Sequence, residues 1–380
     1  MNVVEVLDGG FFTTVQDLGR YGYQRYGVPV AGALDQFALR VANVLVSNQE
    51  GDAGLEITLV GPRLRFLADT VIAITGAGLD PRLDDAPVAM WQAITMPQGG
   101  TLSFGSAQDG MRAYLAVAGG IDVPQVLGSR STYTRSRLGG LEGRALAPGD
   151  RLAALGEEPA ARVEGRKLPR EQIPSYGQSH VLRVVLGPQD DAFSQEGLRT
   201  FLSAAYTVTP QSDRIGYRHE GPPIQHKEGA DIVSDGIPFG AVQVTGDGMP
   251  ILLLADRGTT GGYTKIATVI SVDLGTVAQA SPGDTMSFRP VTVEVAHQAL
   301  RQQEDAIQQL INTPATVFAR RRFRATVNGD THDVVTALEE AIPRPPCPDT
   351  DAAPPRRIVR ATVDGETHTF EVEVRGFGSQ

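Results

Sequence analysis

The chain predicts a mainly β protein with a few short helices, and three observations carry that prediction. Glycine and proline are frequent, 43 and 25 of 380 residues, yet 41% of the sequence is hydrophobic, which makes it turn-rich but too apolar for disorder. Short apolar runs alternate with turns rich in Gly, Pro and Asp, the pattern of many short strands. A Pro-Gly-Asp turn flanked by apolar residues occurs at 148–150 and again at 282–284, each near the end of a strand-rich stretch, which fits two similar β units. At 380 residues the chain is long enough for more than one core.

In order, Val3–Leu7 and Thr13–Val15 read as strands, followed by a glycine-punctuated loop, Asp17–Pro29, with three tyrosines and two arginines. Leu34, Phe37, Ala38, Val41 and Leu45 recur at helical spacing and predict a helix whose apolar face packs on a sheet. Strands follow at Leu55–Val60, Val71–Thr75, Val88–Ile94, Thr101–Phe104 and from Arg112 to Gly120. Gly76-Ala-Gly-Leu-Asp-Pro81 begins like a dinucleotide fingerprint, but proline stands at the third glycine position and no helix follows. Ser129–Arg137 gathers hydroxyls and three arginines, and reads either as an anion site or as a solvated loop. These elements make an N-terminal β-rich subdomain over 1–160.

The polar connector from Gly156 to Gly177 marks the boundary to a second β unit over 178–292. It opens with the strand Val181–Leu186, then a short helix expected to be capped by an aspartate and to pack Phe193, Leu198 and Phe201. Val295–Ile311, rich in Ala, Leu and Gln, predicts a helix within 293–312. Residues 320–380 form a C-terminal appendage with a 36-residue repeat: Arg324-Ala-Thr-Val-Asn-Gly-Asp-Thr-His332 returns as Arg360-Ala-Thr-Val-Asp-Gly-Glu-Thr-His368. Asn-Gly and Asp-Gly favour two-residue hairpin turns, so each copy predicts a hairpin, with the proline-rich segment Pro343–Pro355 as linker.

Composition excludes several functions. A net charge of −10 argues against nucleic acid or an anionic membrane as partner. Nothing approaches the roughly 18 apolar residues of a spanning helix, and Met1-Asn-Val-Val-Glu5 has no basic leader pattern. Cys347 is the one cysteine, so no intrachain disulfide or cysteine zinc site can form, which suits a reducing cytoplasm. The six histidines are scattered, and no metal site is expected. No P-loop, Gly-x-Ser-x-Gly or Met-Lys biotin attachment pattern occurs.

What remains is concentrated in Asp256–Ile270. An apolar run, Pro250–Ala255, leads into Asp256, Arg257, Gly258, Thr259, Thr260, Gly261, Gly262, Tyr263, Thr264 and Lys265. Lys265 is one of three lysines beside 31 arginines, and an ammonium is not interchangeable with a guanidinium. Arginines and lysine can hold carboxylate or phosphate oxygens, an aspartate can accept a substrate N–H, and the Gly261 and Gly262 amides can face a developing oxyanion. The candidate catalytic residues are Asp256, Lys265 and Tyr263. The candidate substrate-binding set is Arg257, Thr259, Thr260, Gly261, Gly262, Asp213, Arg214, Arg20 and Asp35. Each Asp–Arg pair fits a structural ion pair pinning a turn as well as it fits a site.

Asp17-Leu-Gly-Arg-Tyr-Gly22, the run Gly27–Asp35, Leu115–Ile121, Ser212–Gly216 and above all Asp256-Arg-x-Thr-Thr-Gly-Gly-Tyr-x-Lys265 resemble the biotin-dependent carboxyltransferase-like family. That family includes the 5-oxoprolinase C subunit, allophanate hydrolase subunit 2 and the carboxyltransferase part of urea carboxylase. The resemblance runs in order over about residues 1–312. It implies two cyclophilin-like β-barrel subdomains. It also implies work beside a sister protein resembling the 5-oxoprolinase B subunit or allophanate hydrolase subunit 1, and beside the 5-oxoprolinase A subunit. The leading expectation is a component of a heteromeric, ATP-dependent 5-oxoprolinase-type amidohydrolase, with ATP entering through the complex and a small amide or ureido substrate. The alternative is a carboxyltransferase subunit that moves a carboxyl group from carboxybiotin, on a separate carrier, to a urea-like nitrogen. A non-catalytic regulatory binding subunit is the third reading. The family usually has glutamine where Gly258 stands and proline where Thr264 stands. The appendage resembles hairpins that precede biotin carriers in carboxylase chains.

Overall fold

The computed structural model describes residues 2–155 and 166–313, together with four C-terminal strands, Val317–Val327, Asp330–Glu340, Arg356–Val363 and Glu366–Glu373. The fold is mainly β.

The first half is two sheets packed face to face. A seven-stranded sheet runs, in spatial order, Ile121–Asp122, Arg151–Ala154, Asn2–Asp8, Arg63–Phe66, Thr101–Ser103, Arg82–Leu83 and Ala86–Pro87. A five-stranded sheet runs Phe12–Gln16, Gly54–Thr58, Asp109–Val117, Thr70–Gly78 and Ala93–Met96. Strand alternation sends Val4, Val6, Leu64, Phe66 and Leu102 of one, and Leu55, Ile57, Ile72, Ile74, Leu115 and Val117 of the other, into a shared core. On the far face of the five-stranded sheet, α1 (Gln36–Leu45) buries Ala38, Leu39, Val41, Ala42 and Leu45 against Val71, Ala73, Tyr114 and Ala116. Glu56 lies between Leu55 and Ile57, so it points to this far face, directly opposite Tyr114 in the ladder.

The second half is a closed seven-stranded barrel in the order Ser179–Leu186, Lys265–Val269, Ala241–Val244, Pro250–Leu253, Gly216–Glu220, Tyr206–Val208 and Thr285–Pro290. The last strand closes on the first by parallel pairing, from Ser179↔Thr285 to Val184↔Pro290. Leu182, Val184, Phe201, Tyr206, Val242, Leu252, Ile266 and Phe288 fill and flank it. Closure is therefore seen in the second half, while the first half is built of two sheets. Helix α2 (Gln195–Ser203) packs on the barrel, α3 (Leu274–Gln279) leads to its last strand, and α4 (Val293–Asn312) returns to the first half through Ile307 and Leu310. Arg166 ties the ends of α1 and α4 together by donating to the Val44 carbonyl at 2.9 Å and the Ile311 carbonyl at 2.9 Å.

Two local expectations are corrected. Helix α2 is capped not by an aspartate but by Ser194, whose hydroxyl accepts from Gly197 N at 3.0 Å; Asp190 and Asp191 sit one turn earlier in a 3-10 segment. The strand expected from Val88 begins only at Ala93, because Trp91 takes a left-handed φ of 59° that breaks the extended run. The C-terminal strands form an antiparallel meander, with Val327 opposite Asp330 and Val363 opposite Glu366. The expected hairpin turns at 328–329 and 364–365, the expected linker 343–355 and residues 156–165 of the connector lie outside the described residues.

A candidate active site at the seam of the two halves

Asp256 is delivered to the seam by the end of strand Pro250–Leu253. The chain turns there, with Asp256 N–H donating to the Arg214 carbonyl at 2.9 Å and Ala31 N–H of the first half donating to the Ala255 carbonyl at 3.1 Å. Arg214 follows from Ser212–Asp213, whose turn is pinned by Asp213 Oδ1 accepting from Ile215 N at 2.8 Å. Its guanidinium donates from Nε to Asp256 Oδ2 and from Nη2 to Asp256 Oδ1, both at 3.1 Å, and from Nη2 to the Gly32 carbonyl at 2.6 Å. A third edge, Nη1, donates to Glu56 of the first half. Glu56 in turn accepts from Tyr114 Oη at 2.8 Å and Leu34 N at 2.9 Å, with Arg112 Nε 4.0 Å away.

Every member of this group is buried: Glu56 is 1% exposed, Asp256 6% and Arg214 8%. Burial disfavours charge, so neighbours decide each group's state. Burial pushes the Glu56 carboxyl up, but Arg214 and Arg112 outweigh it and hold the group below its ordinary value. Burial pushes the Asp256 carboxyl above its ordinary value, and Arg214 recovers only part of that shift. Arg214 loses by burial and regains more from Asp256 and Glu56, ending above its ordinary value. Asp256 is thus a carboxyl able to take up a proton or accept a substrate N–H in a dry setting.

Arg20, 1% exposed, stands beside this group. Burial lowers its pKa, against the pull of Asp17 and Asp256. One of its nitrogens donates to the Ser131 carbonyl; Nε and Nη1 have no partner among the described residues. The Ser129–Arg137 segment serves Asp17, which accepts from Ser129 Oγ at 2.7 Å and Arg130 N at 2.6 Å as well as from Ser131 Oγ. Burial raises the hydroxyl of Tyr133 in the same segment, and the nearby Asp256 adds to that shift. Arg135 lies 4.0 Å from Asp213, both exposed.

The seam is locked by Gln279 of α3. Its Oε1 accepts from Met111 N at 3.0 Å and Arg112 N at 2.9 Å, and its Nε2 donates to the Arg112 carbonyl at 3.0 Å and to Asp35 Oδ2 at 2.9 Å. One side chain of the second half therefore fills an irregularity in a strand of the first, where the register shifts between Asp109 and Ala113. Asp35 also caps α1 through Ala38 N at 3.0 Å, and Gly275 lies so near that an added Cβ would stand 2.9 Å from Asp35 Oδ1. The carboxylate of Asp35 is occupied by these structural partners.

The rest of the Asp256–Lys265 stretch goes elsewhere. Arg257 donates to the Ile237 carbonyl at 2.8 Å and the Leu254 carbonyl at 3.1 Å, lies over the Phe239 ring at 5.5 Å, and is lowered by burial to about 10. Thr260–Tyr263 pairs with Asp231–Gly236 in a two-stranded ribbon outside the barrel. Within it Thr260 and Tyr263 are exposed, Gly261 faces Ile237 and Gln243, and Gly262 approaches the Ile232 carbonyl. The Thr259 carbonyl accepts from Ile237 N at 3.1 Å. Lys265 is back in the barrel wall, 1% exposed, with its ammonium 3.1 Å from Asp235 of the ribbon. Asp235 is held below its ordinary value by that contact. The structure thus brings Asp256, Arg214 and Arg20 together, with Asp213 at the rim, and places Lys265 with Asp235 and Gln189, whose Oε1 accepts from Lys265 N at 3.1 Å. Thr264, where the resemblance leads one to expect proline, donates its N–H to the Ala230 carbonyl at 2.9 Å and meets His226 Nε2 at 3.0 Å.

Sequence reasoning missed Glu56, Tyr114 and Gln279. Glu56 carried a signal, a lone carboxylate inside the apolar run Leu55–Val60; Gln279 carried none. Among the described residues no group of three metal-ligating side chains gathers, and no helix is long and apolar enough to cross a membrane. Two adjoining clefts of about 320 and 350 Å³ lie where α1, α3 and α4 meet, sharing Phe37, Val272, Gly275 and Gln303.

Residues 26–290 match the family described as carboxyltransferase domain, subdomain A and B. The chain is 38% identical over 308 residues to the 5-oxoprolinase C subunit of Escherichia coli K12, covering 81% of this chain and 97% of that protein. It is 36% identical over 326 residues to urea amidolyase of Lachancea kluyveri, covering 80% of this chain but only 18% of that much longer protein. The crystal structure of K. lactis urea amidolyase superposes with a TM-score of 0.77 at 31% identity, over 89% of this chain and 23% of its own.

Proposed function

The chain belongs to the family of the carboxyltransferase domain, subdomain A and B, and from that membership we propose that it is one component of an ATP-dependent amidohydrolase of the 5-oxoprolinase type. The observation that carries this reading is the match along 97% of the length of the 5-oxoprolinase C subunit, against 18% of a urea amidolyase. The substrate is a small cyclic amide, and a sister subunit completes the enzyme. ATP, bound by the assembled complex, supplies the activation of the amide.

This chain's own residues hold the amide. Asp256 accepts the ring N–H and takes up or returns its proton, a role that its buried setting and raised carboxyl favour. Arg214 fixes the rotamer of Asp256 through two parallel hydrogen bonds. Arg20, with unspent donors on Nε and Nη1, meets anionic oxygen of the substrate. Lys265 lies beneath the ribbon and joins the reaction once Asp235 releases it.

A second reading has its own support. The fold likeness to urea amidolyase reaches 89% of the chain, more than the span 26–290 of the family match. In that reading the same carboxyl faces a urea-type nitrogen and the incoming carboxyl group arrives on a separate biotin carrier. Co-expression with the sister subunits separates the two: 5-oxoproline-dependent ATP hydrolysis supports the first, and urea-dependent ATP hydrolysis requiring a biotinylated carrier supports the second. Neither activity, with a correctly assembled complex, leaves a non-catalytic binding subunit.

A further inference from the structure

The seam holds two buried carboxylates on one guanidinium. Arg214 offers Nε and Nη2 to Asp256 and Nη1 to Glu56. The two contacts to Asp256, at 3.1 Å each, are at the long end for charge-assisted bonds, which cluster at about 2.7–2.9 Å. Glu56 is 1% exposed, and among the described residues its hydrogen-bond partners are Arg214, Tyr114 Oη and Leu34 N, with Arg112 Nε 4.0 Å away. That environment demands an ionised Glu56, which therefore keeps a permanent claim on the cation that Asp256 also uses. Arg112 relieves the competition only in part: its Nε stands 4.0 Å from Glu56, and its Nη1 is committed to Tyr217 Oη at 2.7 Å and the Ala278 carbonyl at 2.5 Å.

From this geometry we infer that Glu56 is a positioning residue for Asp256: by sharing Arg214 it keeps that guanidinium from neutralising the Asp256 carboxylate in full. The consequence is a carboxylate that stays held in place yet basic enough to exchange a proton with substrate. The other charged or titratable groups that face Asp256 are Arg20 and Tyr133 from the first half and Asp213 from the second. Arg20 pulls in the opposite sense, toward a more acidic Asp256. Asp213 is exposed, at 57% for its side chain, so its effect is screened. Glu56 is the one buried negative charge on the same guanidinium, and its position on a sheet strand of the first half makes the tuning depend on the two halves being docked. The inference rests on the reading of Asp256 as the substrate-facing carboxyl.

With Glu56 neutralised, the whole charge of Arg214 falls to Asp256, so Asp256 holds its ionised form to lower pH. The test is a titration of the full chain carrying ¹³C-carboxyl aspartate, with Asp256→Asn to assign the resonance, in wild type and Glu56→Gln. The expected result is a downward move of the Asp256 midpoint by roughly one pH unit, mirrored by the acidic limb of the pH–rate profile of the assembled complex. An unmoved midpoint in folded Glu56→Gln overturns the inference. If Glu56→Gln does not fold, Glu56→Asp, which withdraws the charge by one methylene, is expected to move the midpoint in the same direction by less, and no movement again overturns it. Full turnover by Asp256→Asn instead sinks the functional reading of Asp256 and leaves the titration result standing as a statement about the seam alone.

Discussion

The two ends of the stretch Asp256–Lys265 make opposite use of burial. At one end, Asp256 sits in a seam where Arg214, Glu56, Tyr114, Asp35 and Gln279 are bonded to one another across the two halves, with Arg214 donating twice to Asp256 and again to Glu56. At the other end, Lys265 is equally buried, yet its ammonium has one partner, the exposed Asp235 of a ribbon outside the barrel. Eight residues of chain separate a group held in a buried network from a group whose ammonium meets, among the described residues, one exposed carboxylate. The seam meets its buried carboxyl with buried partners, and the ribbon meets its buried cation with an exposed one.

That contrast can be broken by experiment, and the largest effect belongs to the seam. Arg214→Met leaves Glu56 and Asp256 buried without their cation, and is expected to destabilise the chain by about 3–5 kcal/mol, read from the shift of the urea midpoint. Next comes Gln279→Ala, which orphans the buried N–H groups of Met111 and Arg112. At about 1–3 kcal/mol for a buried unsatisfied group, the expected loss is about 2 kcal/mol or more, again by urea denaturation.

The matching change at the other end is Lys265→Met, which replaces a buried ammonium with an apolar chain of similar length and returns Asp235 to water. It is expected to leave the urea midpoint close to wild type while speeding amide exchange across Asp231–Gly236 and Thr260–Tyr263. A loss as large as that of Arg214→Met removes the contrast. The smallest effect is expected at Gly258, where an added Cβ meets nothing nearer than the Thr260 carbonyl at 3.4 Å. Gly258→Gln is predicted to fold with a stability within about 0.5 kcal/mol of wild type, so any change in the turnover ratio of 5-oxoproline to urea reports on substrate choice rather than on folding.

The same contrast explains what was legible in the sequence. The β class was readable because strand and turn signals are local: Val71–Thr75 and Val181–Leu186 fall inside the observed strands Thr70–Gly78 and Ser179–Leu186, Thr101–Phe104 matches Thr101–Ser103 to a residue, and the apolar spacing of Leu34–Val46 brackets α1. The strand expected at Val88 failed because a left-handed Trp91 has no local signature. Asp256, Arg214 and Arg20 stood out as charges in glycine-rich turns, and the structure sets them side by side. Lys265 joined them as a candidate through residue chemistry and the family resemblance, neither of which shows that its ammonium meets Asp235 of the ribbon. Glu56 and Gln279 were harder still, since each matters only through a partner more than a hundred residues away: 158 positions from Glu56 to Arg214 and 167 from Gln279 to Arg112.

Asp256 as the group that meets substrate is the central claim, and one measurement tests it most directly: substrate-dependent ATP turnover by the complex assembled with Asp256→Asn. Asparagine keeps the size and can accept one of the two Arg214 hydrogen bonds, but cannot take up a proton. The predicted result is unchanged assembly with a loss of 5-oxoproline-dependent turnover on the order of a hundredfold or more. Wild-type turnover by the assembled Asp256→Asn complex would contradict that claim.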